Sequence, residues 1–361
     1  MALLPQQPED SKTVRAIYAA YEREHRESPR SYLGASQIGG ACERALWYGF
    51  RHCGAESFGG RMLRLFETGD REEPRFVANL RAIGCEVYDV DPDTGRQFEV
   101  KDLAGHFAGH MDGCARGVPE APKAWHVLEF KTHNTKSFAD LKRQGVKESK
   151  PRHYAQMMVY MHLTGMRRAL YLAVCKDTDY LHSERIRYDK AEAEAFMVKA
   201  QRIIESATPP PRFTDNPDHF ECAFCAFRHL CHGGGSVAVP APVSCRNCVH
   251  ATPEMDTGYG RWSCAKHRKT ISRQEQDRAC PDHLFIPDLI MFAERDDAGA
   301  DPGGDWISYR NPDGTTWRNS KGGNDYSSQE LAKLPAPMVG AGTVDQVKRV
   351  FPCTVEGATN T

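Results

Sequence analysis

No stretch of about 18 apolar residues occurs in this 361-residue chain, which excludes a membrane-spanning helix. The opening MALLPQQPEDSKTVR has no basic segment followed by an apolar one, so no secretory signal peptide is expected. A GxxxxGKS/T phosphate loop is also missing, and with it the expectation of an ATP-driven helicase. No internal repeat is visible. Neither charge is in excess: 47 Lys+Arg against 48 Asp+Glu leave a formal charge of −1. That balance excludes a wholly basic nucleic-acid coat but leaves room for a local basic groove. Cysteine, by contrast, is plentiful, with 13 in the chain. In a chain without a secretory leader these read as metal ligands rather than disulfides. The length suggests about two domains, or one with appended modules, and 40% hydrophobic residues suffice for an ordinary core.

Periodicity orders the elements. Residues 11–27 carry Val14, Ile17, Tyr18 and Tyr21 at helical spacing behind a Ser11 cap. After a loop with Pro29 and Gly34, ACERALWYGF reads as a second helix. RMLRLFETGDREEPRFVANLRAIG reads as a third, disturbed locally at Gly69 and Pro74. CEVYDV, Glu99–Cys114 and Trp125–Phe130 follow as three successive strands. Then come a basic stretch, a helix over about Pro151–Thr164, the strand ALYLAVCK and the helix AEAEAFMVKAQRIIES. HGGGSVAVPAPVS and DDAGADPGGD read as linkers. WISYRNPDGTTWRNS predicts a small hairpin turning at Asp313-Gly314.

The stretch richest in chemistry is GHMDG followed by VLEFKT, which places Asp112, Glu129 and Lys131 on neighbouring strands. Alternation puts Glu129 and Lys131 on one face and Phe130 on the other. Two carboxylates and a lysine at a strand end can hold a hard divalent ion beside its water, as phosphodiester hydrolysis needs. The same residues alone also fit a surface ion pair. Further on, PRHYAQMMVYM sets Gln156 and Tyr160 four apart on one helical face, with His153 one turn earlier. His106 and His110 lie near Asp112 and read more readily as structural.

The α-β-β-β-α-β order with these motifs resembles the PD-(D/E)XK nuclease superfamily. Gln156-x3-Tyr160 is similar to the QxxxY motif of its RecB-like branch. Gly69-x3-Glu73 matches the preceding helix, where lambda-type exonucleases carry Glu and RecB-like members usually carry His. The resemblance implies an α/β core of restriction-endonuclease type, with a mixed central sheet flanked by helices. It implies that Asp112 and Glu129 bind Mg²⁺ or Mn²⁺, that Glu73 is a third or water-mediated ligand, and that the Phe130 carbonyl completes the shell. Lys131 would orient the attacking water and steady the phosphate, with Gln156 and Tyr160 placing substrate. Residues 134–152 hold six Lys/Arg against two acids, which suits a DNA-backbone groove as well as a solvated face.

Cys222-x2-Cys225-x5-Cys231 offers three soft ligands and lacks a local fourth, for which Cys42 is the best candidate. One cysteine before the core and three after it resembles RecB-like nucleases with an iron–sulfur staple, including CRISPR-adaptation and phage-type exonucleases. The resemblance implies a structural 4Fe-4S cluster, although four thiolates serve zinc equally well. Cys245-x2-Cys248-x15-Cys264-x15-Cys280 reads as a tetrahedral zinc site in a small β-rich, ribbon-like module, with His250 and His283 as alternative ligands. Cys53, Cys85, Cys114, Cys175 and Cys353 have no ligand-like spacing.

The sequence thus predicts a nuclease domain over 1–235 closed by the cluster, a linker at 236–243 and a Cys₄ zinc module over 244–290. A second linker at 291–304 and a small β-rich segment over 305–361 complete it. The function expected is a metal-dependent DNA exonuclease in recombination, repair or processing, in bacterial cytoplasm or, if phage-encoded, that of the host. The alternatives are a non-catalytic DNA-binding or adaptor protein on the same fold and a restriction-like endonuclease. A chain ending near Ser236 is expected to keep nuclease activity.

Overall fold

The computed structural model describes residues 11–25, 30–54, 57–297 and 303–350. Pro29, Cys353, part of the DDAGADPGGD segment and the chain beyond 350 lie outside the described residues. In chain order the elements begin α1 (Lys12–Glu24), β1 (Leu33–Gly34), α2 (Glu43–Phe50), α3 (Gly60–Ala82), β2 (Glu86–Tyr88), β3 (Glu99–Asp102) and β4 (Phe107–His110). They continue with β5 (Cys114–Arg116), β6 (His126–His133), α4 (Thr135–Ser149), α5 (Pro151–Thr164), β7 (Arg168–Cys175), β8 (Leu181–Arg187) and α6 (Lys190–Glu205). Next are α7 (Phe220–Ala223), α8 (Arg228–His232), β9 (Ala251–Pro253), β10 (Trp262–Cys264), β11 (Lys269–Ile271) and α9 (Arg273–Gln276). The last are β12 (Glu294–Arg295), β13 (Ile307–Arg310), β14 (Thr316–Asn319), α10 (Ser328–Leu331) and α11 (Val344–Val350). These elements form two compact units. The first is Met1–Ser28, Glu56–Val100 and His110–Lys190; the second is Pro29–Ala55, Lys101–Gly109 and Ala191–Thr361.

The first unit is an α/β core. Its mixed sheet runs β2-β5-β6-β7-β8, parallel between β6 and β7 and antiparallel elsewhere. The parallel pair needs a crossover, which α4 and α5 supply. Leu128 and Phe130 of β6, with Leu170, Leu172 and Val174 of β7, face Phe76, Val77 and Leu80 of α3 in one apolar cluster. Phe76 and Phe130 stack there with centroids 5.0 Å apart. The other face of β6 carries Glu129, Lys131 and His133 and is covered by α5, in which residues 154–161 are all buried. Ser11 caps α1 as expected, its Oγ accepting the Val14 N–H at 3.2 Å. As expected, α3 runs as one helix through this stretch, but without the local disturbance expected at Gly69 and Pro74. Pro74 is exposed, so the carbonyl that loses its partner is on the water side, where a helix bears the loss best.

A second difference bears on the site. Glu99–Cys114 is not one strand: Leu103 and Ala104 take left-handed backbone angles (φ 49° and 57°) and break it after β3. The chain resumes as β4, which ends at His110, and with Gly113 at φ 141° Asp112 stands in a bend between β4 and β5, not on a middle strand.

In the second unit, β1 pairs in parallel with β4. Two three-stranded antiparallel sheets, β11-β10-β9 and β12-β13-β14, follow. The hairpin around Asp313-Gly314 forms from β13 and β14. Residues 236–243 are packed: Val239 is buried, and its N–H donates to the Leu331 carbonyl at 3.2 Å. Two buried arginines tie this unit together. The Arg246 guanidinium donates to the Phe50 carbonyl at 2.9 Å, the Ser31 carbonyl at 2.6 Å and Gln276 Oε1 at 2.8 Å. It also lies 4.7 Å from the Trp262 ring centre. Arg51 donates to the carbonyls of Ser206, Ala251 and Arg246 at 2.9, 3.1 and 3.3 Å. Neutral acceptors and ring faces thus take the place of water around both charges. Among the described residues no helix is long and apolar enough to cross a membrane.

Candidate active site and cysteine centres

Alternation along β6 sends Glu129 and Lys131 to the α5 side of the sheet. Glu129 is wholly buried, and neither carboxylate oxygen has an aligned hydrogen-bond donor; the Lys131 ammonium forms an ion pair with Oε1. A carboxylate in that state costs free energy unless a cation balances it. Asp112 joins from the bend, its Oδ2 accepting the Phe130 N–H at 2.7 Å and standing 3.9 Å from Lys131 Nζ. Glu73 projects from α3 one turn before Phe76, where the charges of Asp112 and Lys131 both reach it. Burial, then the Asp112 charge, pushes the Glu73 carboxyl up to about 7. Burial likewise pushes Glu129 up to about 7, with Lys131 opposing and Asp112 adding. For Lys131 burial works downward, but the three carboxylates outweigh it and leave the ammonium above its ordinary range. The Phe130 carbonyl accepts Lys131 Nζ at 2.9 Å, so that oxygen also borders the cluster.

The two α5 residues expected to place substrate act first on this cluster. Gln156 Nε2 donates to the Tyr160 hydroxyl at 3.2 Å, and that hydroxyl donates to the His110 carbonyl at 2.7 Å. His110 is two residues before Asp112, so the pair pins the strand that leads into the bend. The His110 ring faces Glu99 at 3.9 Å. His106 is buried in the second unit with Nε2 3.0 Å from the Glu254 carbonyl, a structural place.

Sequence reasoning missed Tyr171 and His133. Tyr171 stands opposite Glu129 in the β6–β7 register, and its hydroxyl is 2.8 Å from His133 Nε2 and 2.9 Å from His153 Nδ1. Burial pushes His133 down to about 4 and His153 to about 3, so both rings are neutral at neutral pH. A hydroxyl has one proton, so one imidazole accepts it and the other donates N–H to the oxygen. The network joins β6, β7 and α5 behind the acids. Single residues in three elements leave no spacing signal that could have exposed it.

The basic stretch forms α4, where Lys136, Lys142, Arg143 and Lys147 are exposed. Gly145 breaks it (φ 74°), and the Glu184 carboxylate accepts the following N–H, that of Val146, at 2.8 Å.

Cys42, just ahead of α2, comes together with Cys222 of α7, Cys225, and Cys231 of α8. Burial raises the Cys222 thiol, and the charges of Cys231 and Cys42 raise it further; Cys225 likewise responds to Cys42, Cys231 and Cys222. Cys245, Cys248, Cys264 and Cys280 border one cavity of about 450 Å³. Burial, then the charges of its three partners, pushes Cys245 up to about 12. Cys248 rises to about 11 by burial, against a backbone N–H from His250 that favours thiolate. Thiols grouped in this way need a cation to ionise together, so each set is a candidate metal site. Of the alternative ligands, His283 spends Nε2 on the Ser244 carbonyl and Asn247 Oδ1 at 3.0 Å. His250 lines the cavity, as does His267, which sequence reasoning missed. The Cys264-x2-His267 spacing was the available signal. The 12 cysteines among the described residues are all free of disulfides, and Cys53, Cys85, Cys114 and Cys175 are simply buried.

The model of the PD-(D/E)XK nuclease superfamily matches residues 5–232, well over half of the chain. The protein belongs to that superfamily of DNA-cleaving enzymes. Among solved structures it is similar to SSO0001, at 14% identity and a TM-score of 0.38 over 61% of this chain and 96% of that one. It is also similar to the alkaline exonuclease LHK-Exo of Laribacter hongkongensis, at 18% identity and a TM-score of 0.36 over 52% of this chain and 89% of that one. LHK-Exo in complex with dAMP gives 16% identity, the same TM-score of 0.36 and the same coverage of 52% and 89%. No curated protein matches the chain.

Proposed function

We propose that the protein is a Mg²⁺- or Mn²⁺-dependent DNA exonuclease acting in recombination, repair or processing. The observation that carries this is Glu129: a buried carboxylate without aligned donors, beside a second acid and a lysine on a nuclease fold. Asp112 and Glu129, with Glu73 and the Phe130 carbonyl, would hold the ion. The ion supplies an activated water and neutralises charge at the phosphate. Lys131 stays protonated, so it serves as a cation beside the phosphate rather than as a base. Gln156 and Tyr160 hold the approach to Asp112, and α4 offers its exposed basic residues to the DNA backbone.

Cys42, Cys222, Cys225 and Cys231 are read as ligands of a structural 4Fe-4S cluster, with zinc as the alternative filling. Cys245, Cys248, Cys264 and Cys280 are read as a zinc site. What supports these readings is the influence of Cys42 and Cys231 on Cys222 and Cys225, and the lining of one cavity by the other four cysteines. The nuclease part is taken as 1–235, followed by the zinc-binding part at 244–290 and the β-rich end at 305–361.

Incubation with end-labelled linear DNA and with closed circular DNA, each with and without Mg²⁺ or Mn²⁺, tests the proposal. Metal-dependent loss of the linear substrate with the circle intact supports an exonuclease. Cutting of the circle identifies an endonuclease. Binding without cleavage in either metal makes it an adaptor.

A further inference from the structure

We propose that the second cysteine module binds two thiophilic divalent ions, the outer one held by His267, Cys280 and Asp282, with the Cys280 thiolate shared between them. The proposal rests on reading Cys245, Cys248, Cys264 and Cys280 as a zinc site. Cys264-x2-His267 repeats the Cys245-x2-Cys248 spacing and falls in the turn between β10 and β11. Arg268 takes a left-handed conformation there (φ 49°), and the His267 N–H donates to Cys264 Sγ at 3.5 Å. The turn thereby presents the imidazole to the cavity.

Its Nε2 is 3.5 Å from Cys280 Sγ and 3.4 Å from Asp282 Oδ2, and the three donor atoms all lie within 4.8 Å of one another. Among the described residues no other three His, Cys, Asp or Glu donors converge so closely. Bonds of about 2.0–2.3 Å to N, O and S place neighbouring donors of a tetrahedral ion about 3.3–3.7 Å apart. The two separations from His267 Nε2 fall in that range. A hydrogen bond and an ion pair explain them less well, because one ring nitrogen would have to serve the sulfur and the carboxylate at once. The second carboxylate oxygen of Asp282 faces Lys321 at 3.4 Å, which orients the first toward His267.

Two ions follow from counting donors. Four sulfurs, one imidazole and one carboxylate exceed the four positions of one tetrahedral ion. The outer ion would have three protein ligands and an open fourth position, the arrangement of an exchangeable rather than a sealed site.

The test is ¹¹³Cd NMR with metal analysis on the full chain loaded with Cd²⁺, compared with His267→Ala and Asp282→Asn. Both side chains are partly exposed, so the variants are expected to fold. The parent should show a sulfur-rich module resonance and a second one shifted toward N/O ligation. Each variant should lose only the second resonance and about one Cd equivalent per chain. An unchanged spectrum and metal count in both variants would overturn the proposal, as would a single module resonance that moves in His267→Ala. Cys245→Ser separates the underlying reading: it should remove the sulfur-rich resonance, and if it changes nothing the Cys₄ site itself is wrong.

Discussion

The carboxylates around Lys131 keep its ammonium charged, since giving up the proton would leave Glu129 buried without a counter-charge. Lys131→Ala is therefore expected to leave DNA binding near the parent level and to lower the cleavage rate by about 100-fold or more, the scale of one lost transition-state charge contact. Single-turnover cleavage beside a DNA-binding isotherm measures both. Tyr160→Phe removes the donor to the His110 carbonyl, an interaction worth about 1 kcal/mol, so a rate loss of several-fold is expected. The acids also give a pH signature. Glu73 and Glu129 both rise to about 7 in the folded chain, whereas the unfolded chain releases these protons near 4.5. Folding without a divalent ion is then favoured fully below pH about 4.5 and loses that stability as pH climbs through about 7. Relative to Glu73→Gln, the metal-free parent should lose Tm across that window in thermal scans and recover it when Mg²⁺ is added. Parallel profiles with and without the ion would contradict this.

At the scale of elements, the crossing of α1 and α3 depends on Gly60. A Cβ built there meets the Tyr18 backbone at 2.2–2.6 Å, and backbone cannot swing aside as a side-chain end can. Gly60→Ala should therefore destabilise the protein by about 1–3 kcal/mol, read as a lower denaturant midpoint with an unchanged slope. Much of this unit was legible because its signals are local. Ser11 caps α1, Pro151 opens α5, and Glu129, Phe130 and Lys131 alternate as a strand demands. The break after β3 was not legible, because Leu103 and Ala104 give no glycine-like warning of their left-handed backbone, whereas the bend at Asp112 had a signal in Gly113, which takes φ 141°. Nor was α4, whose buried residues are only Phe138, Leu141 and Val146 among many charges. Only Ile186 of β8 is buried, so that edge strand has almost no alternating pattern to read. The cysteine spacings announced both thiol sets; Asp282 lies two residues after Cys280, but His267 reaches Cys280 only through the tertiary fold.

At the scale of the whole molecule, the sequence suggested that the chain could end near Ser236 and still cut DNA. The buried arginines argue otherwise. Ending there removes Arg246 and Trp262 from Phe50, and two of the three carbonyls that Arg51 uses. A buried guanidinium stripped of acceptors is strongly destabilising, and α2, which follows Cys42, forms part of that core. The truncated chain is expected to be insoluble or to lose the metal bound with Cys42; a soluble, metal-loaded 1–236 fragment would refute this. Arg246→Met in the full chain should act in the same direction, with a lower Tm.

The central claim is that Asp112, Glu129 and Lys131 form one metal-dependent hydrolytic site. Its most direct test is release of label from end-labelled linear DNA by the parent and by Glu129→Gln, with Mn²⁺ or with chelator, once circular dichroism shows both folded. Release is expected only by the parent and only with metal. A folded Glu129→Gln protein that cuts at the parent rate, or a parent that cuts equally well in chelator, would contradict it.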